Sequence, residues 1–350
     1  MKVILVVGTR PQIIKSQPIV KELLSKKMKL QIIHTGQHYD YEMSKSFFKE
    51  LEIKDPDLNL GIKKGSSIQQ LSQIIQKLEK PLLAFNPDYV LVPGDTRSAL
   101  GAGICASRLG LKLVHIEAGA RSNDFTLEEE VNRRIIDQSS RVLFAPTKHC
   151  LDNLKKEKVL GKSYFTGDSM YDVFLEFQKK LNLKKDKKNQ ILMTIHRKAN
   201  IENYSKIKRI INLANQITKL GYKVIFPVHP HTEKQLKEFH ISINKINTIK
   251  PVNYSKILSL LAESKMMITD SGGLQKEAYW MNTPCITIRK STEWIETLKK
   301  DHNILLDSIT DSSVKIVTKI LSQKISDVKI SEFGDGHASK KMVSLLYNNL

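Results

Sequence analysis

Short apolar runs rich in β-branched residues alternate along the chain with longer stretches whose apolar positions recur at helical spacing. In the first half the runs fall at residues 3–7, 31–34, 89–92, 112–115 and 142–144. Hydrophobicity that is continuous within a run, rather than alternating, is what a strand buried on both faces needs, and parallel sheets covered by helices provide that setting. After a lysine-rich stretch at 184–190 the rhythm restarts at 191–195, 223–227, 247–249, 266–269 and 285–288. The pattern predicts an α/β chain of two Rossmann-like, doubly wound domains, residues 1–183 and 184–350, with the last helix a candidate for returning to the first domain. Such sheets take ligands beyond the carboxyl ends of their strands, so the residues that follow each run are the ones to read for chemistry.

Two of these junctions read as phosphate sites. Gly8-Thr9-Arg10-Pro11 follows the first run and opens a helix that carries Lys15. Proline suits a first helical turn, the helix start offers free N–H groups to an anion, Arg10 can fork two phosphate oxygens, and Lys15 adds a point charge. A capped helix bearing two surface cations is the plainer reading. In the second half Asp270-Ser271-Gly272-Gly273 follows the run at 266–269. Gly272 and Gly273 let backbone approach a diphosphate, Ser271 adds a hydroxyl, and Glu277, about a turn into the helix, can accept from two ribose hydroxyls. An ordinary serine-capped glycine turn is the alternative. His196-Arg197 and His229 also follow runs, and imidazoles facing a diphosphate suit them better than metal ligation, because His229 and His231 flank a proline with no carboxylate or cysteine close by.

The first half also supplies acids: Asp95 in Gly94-Asp95-Thr96, Glu117 in His115-Ile116-Glu117-Ala118-Gly119, and Glu129 in Glu128-Glu129-Glu130-Val131-Asn132-Arg133. Three carboxylates converging on one cleft would be costly unless chemistry needed them. Each has a structural alternative: Asp95 can cap the next helix, and Thr126 with Glu129 spells a capping box. Gly101-Ala102-Gly103-Ile104-Cys105-Ala106 matches a dinucleotide fingerprint in letters, but it lies inside a helix rather than on a strand-to-helix turn, so helix packing explains it better than NAD.

Composition narrows the partners. The formal charge of +20 comes mainly from lysines dispersed among acids, and aromatics make up only 7%. No basic patch interleaved with aromatics emerges, so a small phosphorylated substrate is expected and nucleic acid is not. Cys105, Cys150 and Cys285 are far apart and odd in number, which suggests neither a disulfide framework nor a thiolate zinc site. The apolar run at 3–7 is too short for a signal-peptide core, and no stretch is apolar enough to span a bilayer; a cytoplasmic protein without membrane insertion is expected.

Together these segments resemble the non-hydrolysing UDP-N-acetylglucosamine 2-epimerase family along nearly the whole chain. Besides the motifs above, the resemblance runs through Gln37-His38, Pro146-Thr147, Thr166-Gly167, Pro227-Val228-His229-Pro230, Thr292-Glu293 and Gly334-Asp335-Gly336. It implies a GT-B type fold with an interdomain cleft, a homodimer, and neither cofactor nor metal. It also implies interconversion of UDP-N-acetylglucosamine and UDP-N-acetylmannosamine in making surface glycans. By this resemblance Asp95, Glu117, Glu129 and His229 are the catalytic set. Arg10, Lys15, Arg133, His196, Arg197, Ile257, Ser271, Gly272, Gly273 and Glu277 bind the UDP-sugar, with Ile257 beside uracil. The chain departs from the family at Glu128 (usually proline), Ala199 and Lys276 (usually glutamate) and Asp168 (often asparagine). Trp294-Ile295-Glu296 recurs in subgroups that act on modified sugars. A 2-epimerase of a diacetamido-uronic acid and a GT-B glycosyltransferase are the alternatives.

Overall fold

A computed structural model describes residues 1–36, 48, 50–62, 64–183, 186–323 and 330–348. Gln37-His38 and two residues of the lysine-rich stretch, Lys184 and Lys185, lie outside the described residues. The chain divides into two compact units, one of Met1–Glu176 with Ile330–Leu350 and one of Phe177–Lys329.

In the first unit the strands are β1 (Lys2–Val7), β2 (Lys29–His34), β3 (Leu58–Asn59), β4 (Tyr89–Pro93), β5 (Leu113–Ile116), β6 (Val142–Ala145) and β7 (Lys162–Phe165). They form one seven-stranded sheet in the order β3-β2-β1-β4-β5-β6-β7, with every pairing parallel. The apolar runs of the sequence are its central strands: Val3 to Val7, Val90 to Val92 and Leu143 to Ala145 are at most 1% exposed. Both faces are therefore covered, as the unbroken hydrophobicity requires. One face packs on helices Ser67–Phe85 and Arg97–Arg108 through Ile74, Leu78, Leu82, Ala99, Ala102 and Ala106. A Cβ on Gly101 would sit 2.5 Å from the Ile74 side chain, so this glycine is present for helix contact, as expected for the fingerprint that is not one.

The second unit repeats the design with β8 (Lys188–Thr194), β9 (Lys223–Pro227), β10 (Asn247–Ile249), β11 (Ser264–Thr269), β12 (Cys285–Thr287) and β13 (Asn303–Leu305). The six-stranded order is β10-β9-β8-β11-β12-β13, again parallel throughout. Its core joins Ile191, Met193, Phe226, Met266 and Ile268 to Ile207, Ile210, Ile211, Ala214 and Ile217 of helix Tyr204–Lys219. The chain is thus the α/β, two-Rossmann architecture that the rhythm predicts. In each sheet the connections reverse direction at the centre, between β1 and β4 and between β8 and β11, which is where doubly wound sheets open a crevice for ligand. Cys105, Cys150 and Cys285 are buried and form no disulfide. No helix among the described residues is long and apolar enough to cross a membrane.

Candidate active site

At the reversal point of the first sheet, β1 runs into helix Arg10–Ser25 through Gly8 and Thr9, with Pro11 in the first turn. Gly8 is required for space: a Cβ there would lie 2.0 Å from Ser98 Oγ and 2.3 Å from Thr35 Oγ1. Gln12 ties this turn to the next strand, accepting from the Gly8 N–H at 2.9 Å and donating to the Pro93 carbonyl at 2.8 Å. Arg10 stands half-buried at the helix start. Lys15, on the next turn, donates from Nζ to Glu117 Oε1 at 2.8 Å, both side chains being about one-tenth exposed.

Glu117 follows β5 with φ +74°, a left-handed backbone that a residue with a Cβ adopts only at a cost of about 1–2 kcal/mol. Side chains held in such conformations cluster at functional sites. Asp95 follows β4. Thr96, not Asp95, caps helix Arg97–Arg108, its hydroxyl accepting from the Ala99 N–H at 3.3 Å. The Asp95 carboxylate instead pairs with Arg133, whose guanidinium is 5% exposed, while Asn132 Nδ2 donates to the Asp95 carbonyl at 2.8 Å. The capping-box alternative for Glu129 also gives way. Leu127 is the N-cap of helix Glu128–Ser139, and Thr126 donates to Asp124 Oδ1. Glu129 is half-buried, and among the described residues its carboxylate makes no hydrogen bond or ion pair. Lys15, Asp95, Glu129 and Asn132 line one cavity of about 280 Å³ together with Thr9, Gln12 and Gly94. Glu128 pairs with Arg97 at the cavity edge.

In the second unit the reversal point carries the other motifs. Ser271 is the N-cap of helix Gly272–Trp280, its Oγ accepting from the Leu274 N–H at 3.4 Å. A Cβ on Gly273 would meet nothing within 4 Å, so this side of the turn is open to an incoming group. Glu277 lies on the second turn and is 2% exposed. His196 and Arg197 leave β8 on a turn held by the buried Asp270 carboxylate. It accepts from the His196 and Arg197 N–H groups at 3.1 and 2.9 Å and from Asn200 Nδ2 at 3.0 Å. His229 caps helix Pro230–Glu238, its Nδ1 accepting from the His231 N–H at 3.2 Å, with its ring centroid 6.5 Å from that of His196. Ile257 is half-buried on helix Tyr254–Glu263.

The geometry thus gathers Lys15, Asp95, Glu117, Glu129 and Arg133 in the first unit, and His196, Arg197 and His229 with the Ser271 to Gly273 turn in the second. Reading junctions alone missed Asp270 as the residue that shapes the His196-Arg197 turn, and it missed the buried groups behind Asp95. Polar side chains embedded in apolar stretches, such as His115 within a strand and Asp137 in Arg134-Ile135-Ile136-Asp137, are the available signal, since buried polar groups must find partners.

This two-sheet α/β architecture, with carboxylates at one switch point and a serine-glycine turn at the other, is that of the GT-B-like nucleotide-sugar enzymes. A family model described as UDP-N-acetylglucosamine 2-epimerase matches residues 21–347, and the chain belongs to that family. A UDP-N-acetylglucosamine 2-epimerase of Methanococcus maripaludis is 40% identical over 99% of this chain and 98% of its own. A UDP-2,3-diacetamido-2,3-dideoxy-D-glucuronate 2-epimerase of Pseudomonas aeruginosa is 35% identical over 99% of both. The crystal structure of Methanocaldococcus jannaschii UDP-GlcNAc 2-epimerase in complex with UDP-GlcNAc and UDP superposes with a TM-score of 0.91 at 36% identity, covering 99% of this chain and 100% of that one.

Proposed function

We propose that the protein inverts C2 of UDP-N-acetylglucosamine by eliminating UDP and adding it back, giving UDP-N-acetylmannosamine. The observation that carries this reading is the set of three carboxylates at the first switch point in three different settings: Glu117 on Lys15, Asp95 on Arg133, and Glu129 on the cavity wall. Carboxylates whose environments differ can take opposite acid and base roles in one pocket.

The C2 proton is not adjacent to a carbonyl and is too weakly acidic to be removed directly. Departure of UDP gives C1 oxocarbenium character and makes the proton removable. Charge on the departing diphosphate is taken by His229 and the N–H groups of Gly272 and Gly273. One carboxylate takes the C2 proton as the C1–O bond breaks, leaving 2-acetamidoglucal and UDP. Protonation of C2 from the opposite face and return of the UDP oxygen to C1 complete the inversion. No cofactor enters this scheme. The P. aeruginosa relative supports a second substrate class, a diacetamido-uronic acid carried on UDP.

Incubation with UDP-N-acetylglucosamine in deuterated water, followed by NMR, tests the reading. The expected result is deuterium at C2 with UDP-N-acetylmannosamine appearing. Free UDP with N-acetylmannosamine would assign a hydrolysing enzyme, and exchange only with the uronic-acid sugar would assign the second substrate. Asp95→Asn, Glu117→Gln and Glu129→Gln should each lose at least about a hundredfold in exchange, the scale of acid–base catalysis, with UDP affinity within a few-fold of the parent. Full activity in all three would end the mechanism.

A further inference from the structure

Behind the Gly94-Asp95 turn the first unit holds a continuous chain of ion pairs, and both of its ends grip that turn. His115 and Asp137 are wholly buried, with Nδ1 2.6 Å from Asp137 Oδ1 and Nε2 2.8 Å from the Gly94 carbonyl. A carbonyl only accepts, so Nε2 donates to Gly94. The second Asp137 oxygen accepts from Arg121 Nη2 at 2.7 Å and from the Gly119 N–H at 3.1 Å, and with Arg121 alongside Asp137 is a carboxylate, so Nδ1 donates as well. Arg121 continues to Glu157 at 2.6 Å, Glu157 to Arg134 at 2.9 Å, Arg134 to Glu130 at 3.0 Å, and Glu130 to Arg133 at 3.3 Å. Arg133 closes on the Asp95 carboxylate. Cation and anion alternate from the carbonyl of residue 94 to the side chain of residue 95.

Helical spacing builds the chain. Glu130, Arg133 and Asp137 fall on one buried face of helix Glu128–Ser139, and Arg134 lies four residues from Glu130. The backbone N–H and hydroxyl of Ser122 also donate to Glu130, at 2.8 and 3.0 Å, both on Oε2. Charges this deep are tolerated only when each is paired and hydrogen-bonded, and once satisfied such networks fix a single geometry.

We propose that this chain, and His115, Asp137 and Glu157 within it, is the positioning device that sets the Asp95 carboxylate against C2 of the sugar. The inference rests on the function proposed above. None of these three residues need touch substrate; they act through Gly94, Gly119 and Arg133. Because the chain is continuous, breaking it at Glu157 should be felt at Asp95.

Glu157 is the link to cut, being about a quarter exposed and remote from the Asp95 end. Glu157→Gln should lower kcat for C2 exchange at least tenfold, with KM within threefold and the melting temperature within a few degrees. Glu157→Asp, which restores the charge, should recover most of the loss. His115→Gln should lose at least as much as Glu157→Gln, again in kcat. In samples labelled with ¹⁵N-glycine and ¹⁵N-aspartate, Glu157→Gln should also shift the amide resonances of Gly94, Asp95 and Gly119, and that readout holds even if the parent enzyme acts on another sugar or on none. A folded Glu157→Gln with parental kcat, a loss no larger than its loss of folded protein, or unmoved Gly94 and Asp95 amides would overturn the inference. Absence of C2 exchange by the parent enzyme with either UDP-sugar would instead strike the proposed function, leaving the amide shifts to decide the positioning role.

Discussion

Asp137 is wholly buried and holds His115, Arg121 and the Gly119 N–H with one carboxylate. Burial alone would raise its carboxyl, but His115 and Arg121 outweigh that and hold it below the ordinary aspartate range. A carboxylate depressed in the folded state contributes stability that is present above the unfolded value near about pH 4 and is lost as pH falls through the folded value. Asp137→Asn removes the buried carboxylate that His115 and Arg121 share and leaves Arg121 only the partly exposed Glu157, so it should cost about 3–5 kcal/mol at neutral pH. The gap between parent and variant should narrow as the pH is taken below about 4. Paired thermal melts across that range check both the size and the sign; a gap that widened in acid would contradict the assignment. The position of candidate residues was legible at the strand exits, where Lys15, Asp95, Glu117 and Ser271 stand in short distinctive motifs. It was not legible where partners are distant in sequence. Nothing local says that Thr96 will take the cap and release Asp95 to Arg133, or that Leu127 will start a helix and free Glu129 from its capping box.

Elements were readable in proportion to how thoroughly they are buried. The central strands announce themselves, because both of their faces need apolar side chains, and the runs read from the sequence agree with β1, β4, β9 and β11 to within two residues at either end. Three short strands, β3, β7 and β13, escaped. All lie at or next to a sheet edge, and β7 reads Lys-Ser-Tyr-Phe with no fully buried position. An edge strand has neighbours on one side only, so its composition drifts toward that of a loop. Contact between helices is equally silent in a single segment, yet it explains Gly101. Alanine would gain up to about 1 kcal/mol in helix propensity. Its methyl group would nevertheless stand 2.5 Å from Ile74, which is fully buried. Gly101→Ala should therefore destabilise by about 1–3 kcal/mol, the cost of overpacking, in a denaturant titration. A neutral or stabilising result would mean that helix Ser67–Phe85 shifts to accommodate it.

For the whole molecule, the repetition of one sheet design means that each doubly wound unit offers its own switch point, and each is furnished differently: carboxylates in the first, a serine-glycine turn in the second. The alternation of strands and helices was legible because it needs only hydrophobic periodicity. The ion chain was not, since it joins residues 95, 115, 121, 130, 133, 134, 137 and 157, which only the completed sheet brings together.

The buried cysteines give these units a clock. Burial pushes the Cys105 thiol to about 11 and the Cys285 thiol to about 12, far from thiolate at neutral pH, so neither should react with a thiol reagent until its surroundings open. Two of the three, Cys105 and Cys150, belong to the first unit, and Cys285 belongs to the second. Labelling followed by peptide mass spectrometry therefore times the opening of each unit separately. The expected result is one shared rate for Cys105 and Cys150 and a different rate for Cys285, as separate cooperative units would give. A single rate for all three would mean that neither unit opens without the other.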